Sequence, residues 1–305
     1  MTGNDDSHLA REVLGQPDDW ERVAERADAL AGVLPERGAR LAVLGCGTSY
    51  YMAKAYAVLR EQAGHGLTDA FPASEHRLGR GYDEVLVITR SGTTTEVVDV
   101  LRSLQAGPVR TCAVVATAGT PATSLADRLV LLSDVDEQSV VQTRFATSTL
   151  ALLRASLGED LGQAVADARS VLAEDEPTSL RGLTGAEQVT FLGRGWTVGV
   201  AEEAALKLRE SAQLWTEAYP AMEYRHGPVS IATTGRVTWA LGEVPAGLAD
   251  EVAATGAHFE HRDHDPLAEL VRVHLLCLAM ARRLGLDPDR PRHLTRSVIL
   301  APGDS

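Results

Sequence analysis

The sequence predicts an α/β protein made of two similar subdomains, each a parallel sheet wound with helices on both faces. Three observations point there. Short apolar runs alternate with helical stretches: "LAVLG" (41–45) before a helix over 48–62, and "VLVIT" (85–89) before a helix over 93–105. "CAVVAT" (112–117), "LVLLS" (129–133) and a long helical region over about 140–173 follow. Buried runs alternating with helices are the mark of βαβ units and a parallel sheet. The pattern then restarts, with "VTFLG" (189–193), a helix over 197–215, "VTWAL" (237–241), a helix over 247–255, "AHFEH" (257–261) and a helix over 267–285. Finally, "LGCGTSYYMAKAYAVLRE" from 44 lies over "LGRGWTVGVAEEAALKLR" from 192, matching at Leu44/Leu192, Gly45/Gly193, Gly47/Gly195, Ala53/Ala201 and Ala57/Ala205. Both copies read as strand, glycine turn and helix. Residues 8–34 read as helical with a break at "GQP". The expected organisation is an N-terminal helical segment (1–35), a first subdomain (36–175), a second (176–286) and a C-terminal tail (287–305). The stretch "EDEPTSLRG" reads as the linker.

Composition narrows the function. The chain has 305 residues, 45% of them hydrophobic, enough for a sizeable core. Net charge is −13 and the sequence pI about 5.1. A nucleic-acid grip needs a basic face, so that class is set aside. A small anionic ligand is not, because a local pocket can oppose the global charge. Cys46, Cys112 and Cys277 show neither CxxC nor metal spacing. Cys112 and Cys277 fall in apolar runs and read as buried free thiols, which fits a reduced cytoplasm. The start, "MTGNDDSHLA", is too polar and acidic for a signal peptide, and no apolar run reaches membrane-span length. Lysine is nearly absent, only Lys54 and Lys207 occurring.

The glycine turns are not dinucleotide fingerprints. "GCGTSY" and "GRGWTV" place Tyr50 and Val198 where GxGxxG needs its third glycine, and no GxxxxGK[ST] occurs. A phosphate monoester fits better. "GTS" (47–49) opens one helix, and five hydroxyls (Thr89, Ser91, Thr93, Thr94, Thr95) crowd the start of another. Helix N-termini with hydroxyls nearby suit a phosphate, and both turns fall at the carboxyl ends of parallel strands, where ligands bind. Helix capping accounts for one hydroxyl, not for five. The corresponding turn of the second half, "WALGEVPAG", has no such cluster, so one phosphate site per chain is expected.

"LGCGTSYYMAK", "ASEHRL", "TRSGTTTEV", "SVVQTRFATS", "EEAALKLRESAQLWTEAYPAMEYRHGPVS" and "GLDPDRPRHLTRSV" follow one another as in sugar isomerase (SIS) domain proteins. The chain resembles most the isomerase half of glutamine–fructose-6-phosphate aminotransferase and stand-alone amino-sugar phosphate deaminase/isomerases. The resemblance implies two SIS subdomains with five-stranded sheets, a homodimer, a phosphosugar ligand and no cofactor or metal. It places phosphate binding at Ser49, Thr89, Arg90, Ser91 and Thr94, with Thr48 beside them. Arg90 stands where the aminotransferase has Gln, and would add a charged, bidentate hold. No counterpart of the glutaminase half is expected in this sequence, which has no N-terminal nucleophilic cysteine and no room for such a domain before residue 40.

Aldose–ketose isomerisation moves a proton between C1 and C2 through an enediol, and needs a carboxylate-type base, a ring-opening acid/base and oxyanion stabilisation. Lys207 and Glu210 share a helix face by their spacing, while Glu203 and Lys207 fit equally an ordinary solvated pair. By resemblance Glu210 is the proton shuttle and Lys207 lies in the site. His226, in the polar turn "EYRHGP", is by resemblance the ring-opening acid/base, offered to the neighbouring subunit; an ordinary loop histidine fits the sequence as well. Arg296 is the departure. The aminotransferase has there a lysine that forms a Schiff base, which arginine cannot do. The tail is expected to close over the sugar with Arg296 holding an oxygen, and His293 reads either as surface or as pocket lining. The leading expectation is a phosphosugar isomerase or amino-sugar-phosphate deaminase/isomerase acting on a glucosamine-6-phosphate or fructose-6-phosphate type substrate. The alternatives are a deglycase of sugar-phosphate–amino acid conjugates and a non-catalytic phosphosugar sensor. Residues 1–35 are too short and too acidic for the DNA-binding module that sensors commonly carry.

Overall fold

The computed structural model describes residues 6–301. The elements run α1 (His8–Leu14), α2 (Gln16–Ala24), β1 (Leu41–Gly45), α3 (Thr48–Gln62), β2 (Thr68–Pro72), β3 (Glu84–Thr89), α4 (Thr95–Leu104), β4 (Arg110–Val115), α5 (Pro121–Leu125) and β5 (Arg128–Leu131). They continue with α6 (Arg144–Ser156), α7 (Gly162–Ala173), α8 (Glu176–Ser179), β6 (Gln188–Gly193), α9 (Thr197–Ala212), β7 (Trp215–Pro220), β8 (Arg236–Leu241), α10 (Leu248–Ala254), β9 (His258–Glu260) and α11 (Pro266–Leu284). The chain forms two compact units, neither continuous in sequence. One comprises Asp19–Glu137, Arg144–Leu161 and the chain from Thr295 onward; the other comprises the chain up to Asp18, Gln138–Thr143 and Gly162–Leu294.

The first of these holds a five-stranded sheet in the order β2-β1-β3-β4-β5, every pair parallel. Every residue of β1 and β3 is buried, as expected of central strands covered on both faces. From β1 the chain returns through α3 to β2 on one side; from β3 it returns through α4 to β4 on the other. Strand order therefore reverses between β1 and β3. The loops leaving these strands flank the crevice where open α/β sheets bind ligands.

The second unit has the order β7-β6-β8-β9, again all parallel. Among the described residues this sheet has four strands, not the five the resemblance implied. After β9 the chain passes directly into α11, whose buried residues run from Leu267 to Ala281; its apolar face makes it a core helix. Periodicity also missed the edge strands β2 and β7. Both are short and partly exposed and carry Asp69, Glu217 and prolines, the composition that protects sheet edges from unwanted pairing. The long helical region over 140–173 is two helices, α6 and α7, separated at Leu157–Leu161.

The internal repeat has a steric cause. A Cβ on Gly45 would lie 2.6 Å from the Ser49 carbonyl carbon, and one on Gly193 would lie 2.3 Å from the Thr197 carbonyl oxygen. The first turn of the following helix passes this close to the strand end in both units, so only a glycine fits there. The Gly193→Ala variant should lose about 1–3 kcal/mol of stability, the usual range for overpacking. The measurement is a lower urea midpoint at unchanged slope. Gly185→Ala, where nothing lies within 4 Å of the added methyl, should stay within about 0.5 kcal/mol of the parent.

Candidate functional site

β3 ends at Thr89, and the chain turns through 90–94 before α4 begins. Gly92 makes the turn at φ +66°, and a Cβ there would meet Thr120 Oγ1 at 2.0 Å. Two hydroxyls brace the turn: Thr89 Oγ1 accepts from the Gly92 N–H at 3.2 Å, and Ser91 Oγ accepts from the Thr93 N–H at 3.2 Å. Thr94 is the N-cap residue of α4, yet its side chain makes no capping bond. Capping therefore does not explain the cluster.

The cluster holds the C-terminal tail. Ser91 and Thr93 donate to Ser297 Oγ at 3.1 and 2.9 Å, and Thr94 Oγ1 lies 3.4 Å from the same atom. The Thr95 N–H donates to the Val298 carbonyl at 3.1 Å, and Thr95 Oγ1 accepts from the Leu300 N–H at 2.9 Å. Between loop and tail lies an open cleft of about 400 Å³, walled by Ser91, Thr93, Thr117 and Thr120 and by the tail from Thr295 to Ile299. Thr48 and Ser49 head α3 from the neighbouring strand β1; both are buried and neither lines this cleft.

Arg90 points elsewhere. Its side chain is buried 3.5 Å from Glu137 Oε2, and it donates to the Arg296 carbonyl at 3.0 Å. Glu137 Oε1 accepts from the Arg144 N–H at 2.7 Å, at the first turn of α6. Arg296 pairs with Asp136 Oδ1 at 2.5 Å and donates to the Glu137 carbonyl. Thr89, Arg90, Ser91, Thr94 and Arg296 are thus brought together within one unit.

Lys207, Glu210 and His226 belong to the other unit. On α9, Lys207 Nζ lies 2.5 Å from Glu210 Oε2 and 3.5 Å from Glu203 Oε1. The Lys207 and Glu203 side chains are each 1% exposed and that of Glu210 is 18% exposed. The solvated-pair reading of Glu203 and Lys207 is therefore wrong: packing of α11 over α9 removes both from water. On α11, His274 Nδ1 lies 3.1 Å from Gln16 Nε2, and its Nε2 has no hydrogen-bond partner among the described residues. Burial, and secondly the Lys207 charge, push His274 down to about 3. Cys277 beside it is pushed up to about 12 by burial. His226 ends a 3₁₀ turn (Glu223–His226) and is exposed, as is His293, which adopts φ +64°.

Sequence reasoning missed Asp136, Glu137, Ser297 and the buried state of Glu203. Only "DVDEQ", an acidic run ahead of an apolar one, hinted at the first two, and it reads equally as a surface loop. Among the described residues no group of three or more His, Cys, Asp or Glu is placed to hold a metal, and no helix is long and apolar enough to cross a membrane.

An open parallel sheet with a hydroxyl-lined turn at its strand-order reversal places the chain among the doubly wound α/β proteins. Residues 36–157 match the SIS domain family model, so this stretch of the chain is similar to SIS domains. The glutamine–fructose-6-phosphate aminotransferase (isomerizing) of Methanothermobacter thermautotrophicus is 27% identical over 98% of this chain and 58% of its own. The enzyme of that name from Thermus thermophilus is 28% identical over 87% of this chain and 53% of its own. The chain thus spans about half the length of these curated relatives. Among solved structures, glucosamine-6-phosphate deaminase from Thermotoga maritima superposes with a TM-score of 0.80 at 22% identity, over 96% of this chain and 100% of its own. The C-terminal domain of glucosamine-fructose-6-phosphate aminotransferase from Francisella tularensis gives 0.82 at 20% identity, over 95% and 100%. Tagatose-6-phosphate ketose/aldose isomerase from Escherichia coli gives 0.78 at 17%, over 98% of each chain. These likenesses show a shared fold.

The buried histidine sets a pH dependence of folding. An unfolded histidine takes up its proton as pH falls through about 6.5, while folded His274 stays neutral down to about 3. In that window the unfolded chain binds the extra proton, so stability falls as pH falls, by up to about 1.4 kcal/mol per pH unit from this group. Urea melts from pH 7 to 4.5 should show a shallower acid loss in His274→Gln than in the parent chain.

Proposed function

We propose that the chain is a phosphosugar isomerase, with an amino-sugar-phosphate deaminating isomerase as the particular form. The observation that carries this is the cleft beside the strand-order reversal, walled by hydroxyl side chains at the start of α4. Such a wall suits a phosphate monoester: its donors rotate to fit the anion, and the helix N-terminus favours negative charge. Ser91 and Thr93, which line the cleft, hold the phosphate in this reading, with Thr94 beside them. Thr89 braces their turn, Thr48 and Ser49 stay outside the cleft at the head of α3, and Arg90 acts through Glu137 and the tail carbonyl rather than as a bidentate clamp.

The acid/base work falls to the second unit. Glu210 takes the C2 proton of the open-chain aldehyde and returns it to C1. With an amino group at C2, the same transfer leaves a C2 imine, which water hydrolyses to ammonia and fructose-6-phosphate. Lys207, 2.5 Å away, orients the carboxylate. His226 opens the ring in the site of a second copy of the chain, a reading supported by its exposure on its own surface. The three free thiols fit a cytoplasmic enzyme.

Proton NMR in deuterated buffer with glucosamine-6-phosphate tests the reaction. Deuterium at C1 or C2, with ammonia and fructose-6-phosphate accumulating, is the expected result. Exchange without ammonia points to plain isomerisation. Binding without exchange points to a sensor or to a conjugate substrate. Glu210→Gln should lower turnover by roughly 10²–10⁴, the usual contribution of a general base, while leaving substrate affinity within about twofold. Turnover that survives Glu210→Gln would remove Glu210 from the chemistry.

A further inference from the structure

We infer that Ser297, carried on the C-terminal tail, is a further anion-binding residue, and that Arg296 is the positioning residue that latches it there. The inference rests on the phosphosugar reading above and names a part of that site which the hydroxyl loop alone does not supply. Ser297 Oγ stands within 3.4 Å of three hydroxyls of the loop, those of Ser91, Thr93 and Thr94. It lines the same cleft as Ser91 and Thr93. The tail is therefore a wall of the cleft, not a strap lying over it.

The chemistry of the four hydroxyls follows. Ser91 and Thr93 give their protons to Ser297 Oγ. Each hydroxyl rotates freely and can redirect its proton. Bonds from hydroxyls to an ionised phosphate are roughly twice as strong as those between neutral groups. An arriving phosphate oxygen therefore takes the place of Ser297 Oγ as acceptor, and Ser297 turns its own O–H toward the anion. The tail is fixed in place by contacts that leave this hydroxyl untouched. Arg296 pairs with Asp136 at 2.5 Å and donates to the Glu137 carbonyl, Arg90 holds the Arg296 carbonyl at 3.0 Å, and Thr95 holds the Val298 carbonyl through its N–H and the Leu300 N–H through its Oγ1. A lysine at 296 would offer a point charge in place of a planar fork. The arginine suits a latch that must reach a carboxylate and a carbonyl together.

Isothermal titration of the full chain with fructose-6-phosphate and with inorganic phosphate tests this. Ser297→Ala should weaken both probes by the same factor, roughly tenfold, as expected for one hydrogen bond to a charged group. Ser297→Thr, which keeps a hydroxyl, should retain most of the affinity. Asp136→Ala should weaken both probes and speed amide hydrogen exchange at Leu300, which a purely structural loss elsewhere would not do. Bound fructose-6-phosphate should slow exchange at Leu300 in the parent chain. Unchanged or tighter binding by Ser297→Ala, with Thr94→Val still weakened, overturns the role of the tail and leaves the phosphosugar reading standing. If Thr94→Val and Ser91→Ala also bind like the parent, or the parent binds neither probe, both fall together.

Discussion

Glu137 organises the unit that holds the hydroxyl cleft. Its carboxylate is buried, with one oxygen on the first backbone amide of α6 and the other facing the Arg90 guanidinium. Its backbone carbonyl receives Arg296. A carboxylate at a helix N-terminus is favoured by the helix dipole, and a buried cation needs a partner charge. One side chain meets both demands, and in doing so fixes the end of β3, the start of α6 and the C-terminal tail relative to one another. Removing either partner of such a pair leaves the other buried and uncompensated, at a cost of about 3–5 kcal/mol. The base of the hydroxyl loop is anchored because Arg90 is held in this way.

The two units share a frame and differ in what they place on it. In each, a helix starts so close to the preceding strand end that only glycine fits, at Gly45 and at Gly193. In the first unit the loop after the next strand, β3, carries hydroxyls. In the second, the loop after β8 carries none, and the distinctive chemistry sits further along α9 as one ammonium between two carboxylates. Under the proposed function, that division meets two separable requirements: holding a phosphate that does not react, and moving a proton that does. Hydroxyls at a helix start serve the first without adding a competing base. A largely buried carboxylate with a fixed cation serves the second.

Much of the frame was legible in the sequence because it depends on local pattern. Central strands buried on both faces gave continuous apolar runs, and the glycine turns repeated at a fixed offset. The missing third glycines, at Tyr50 and Val198, set dinucleotide binding aside from sequence alone. The edge strands β2 and β7 were not legible, since a half-exposed strand with prolines and acids resembles a loop. Burial of Lys207 and Glu203 was not legible either: an i,i+4 pair looks the same in water and under α11. The hydroxyl cluster was found, but its neighbours were not. Ser297 lies 206 residues from Ser91, and no periodicity or spacing rule reaches that far. Such contacts are set by where the chain end returns, which local sequence does not encode.

The arginine at 296, where the resemblance implied a lysine, then has a physical reading. A lysine in a tail that closes on a carbonyl is a nucleophile once it loses its proton. An arginine in the same place stays charged and planar, and here its charge is spent on Asp136. Its neighbour Ser297 keeps a neutral hydroxyl facing the loop. The tail is thereby suited to holding an anion and unsuited to forming an imine with it. Under the proposed function, covalent capture of the sugar through this position is absent, and the proton transfer rests on Glu210. An isomerase organised this way would show no borohydride-trapped adduct on the tail while still exchanging the C1 and C2 protons with solvent. A trapped adduct on Lys54 or Lys207, the only lysines of the chain, would be the route by which imine chemistry re-enters. Lys207 is held between the Glu203 and Glu210 carboxylates, so its amine is engaged rather than aimed at a sugar carbonyl, and an adduct there is not expected.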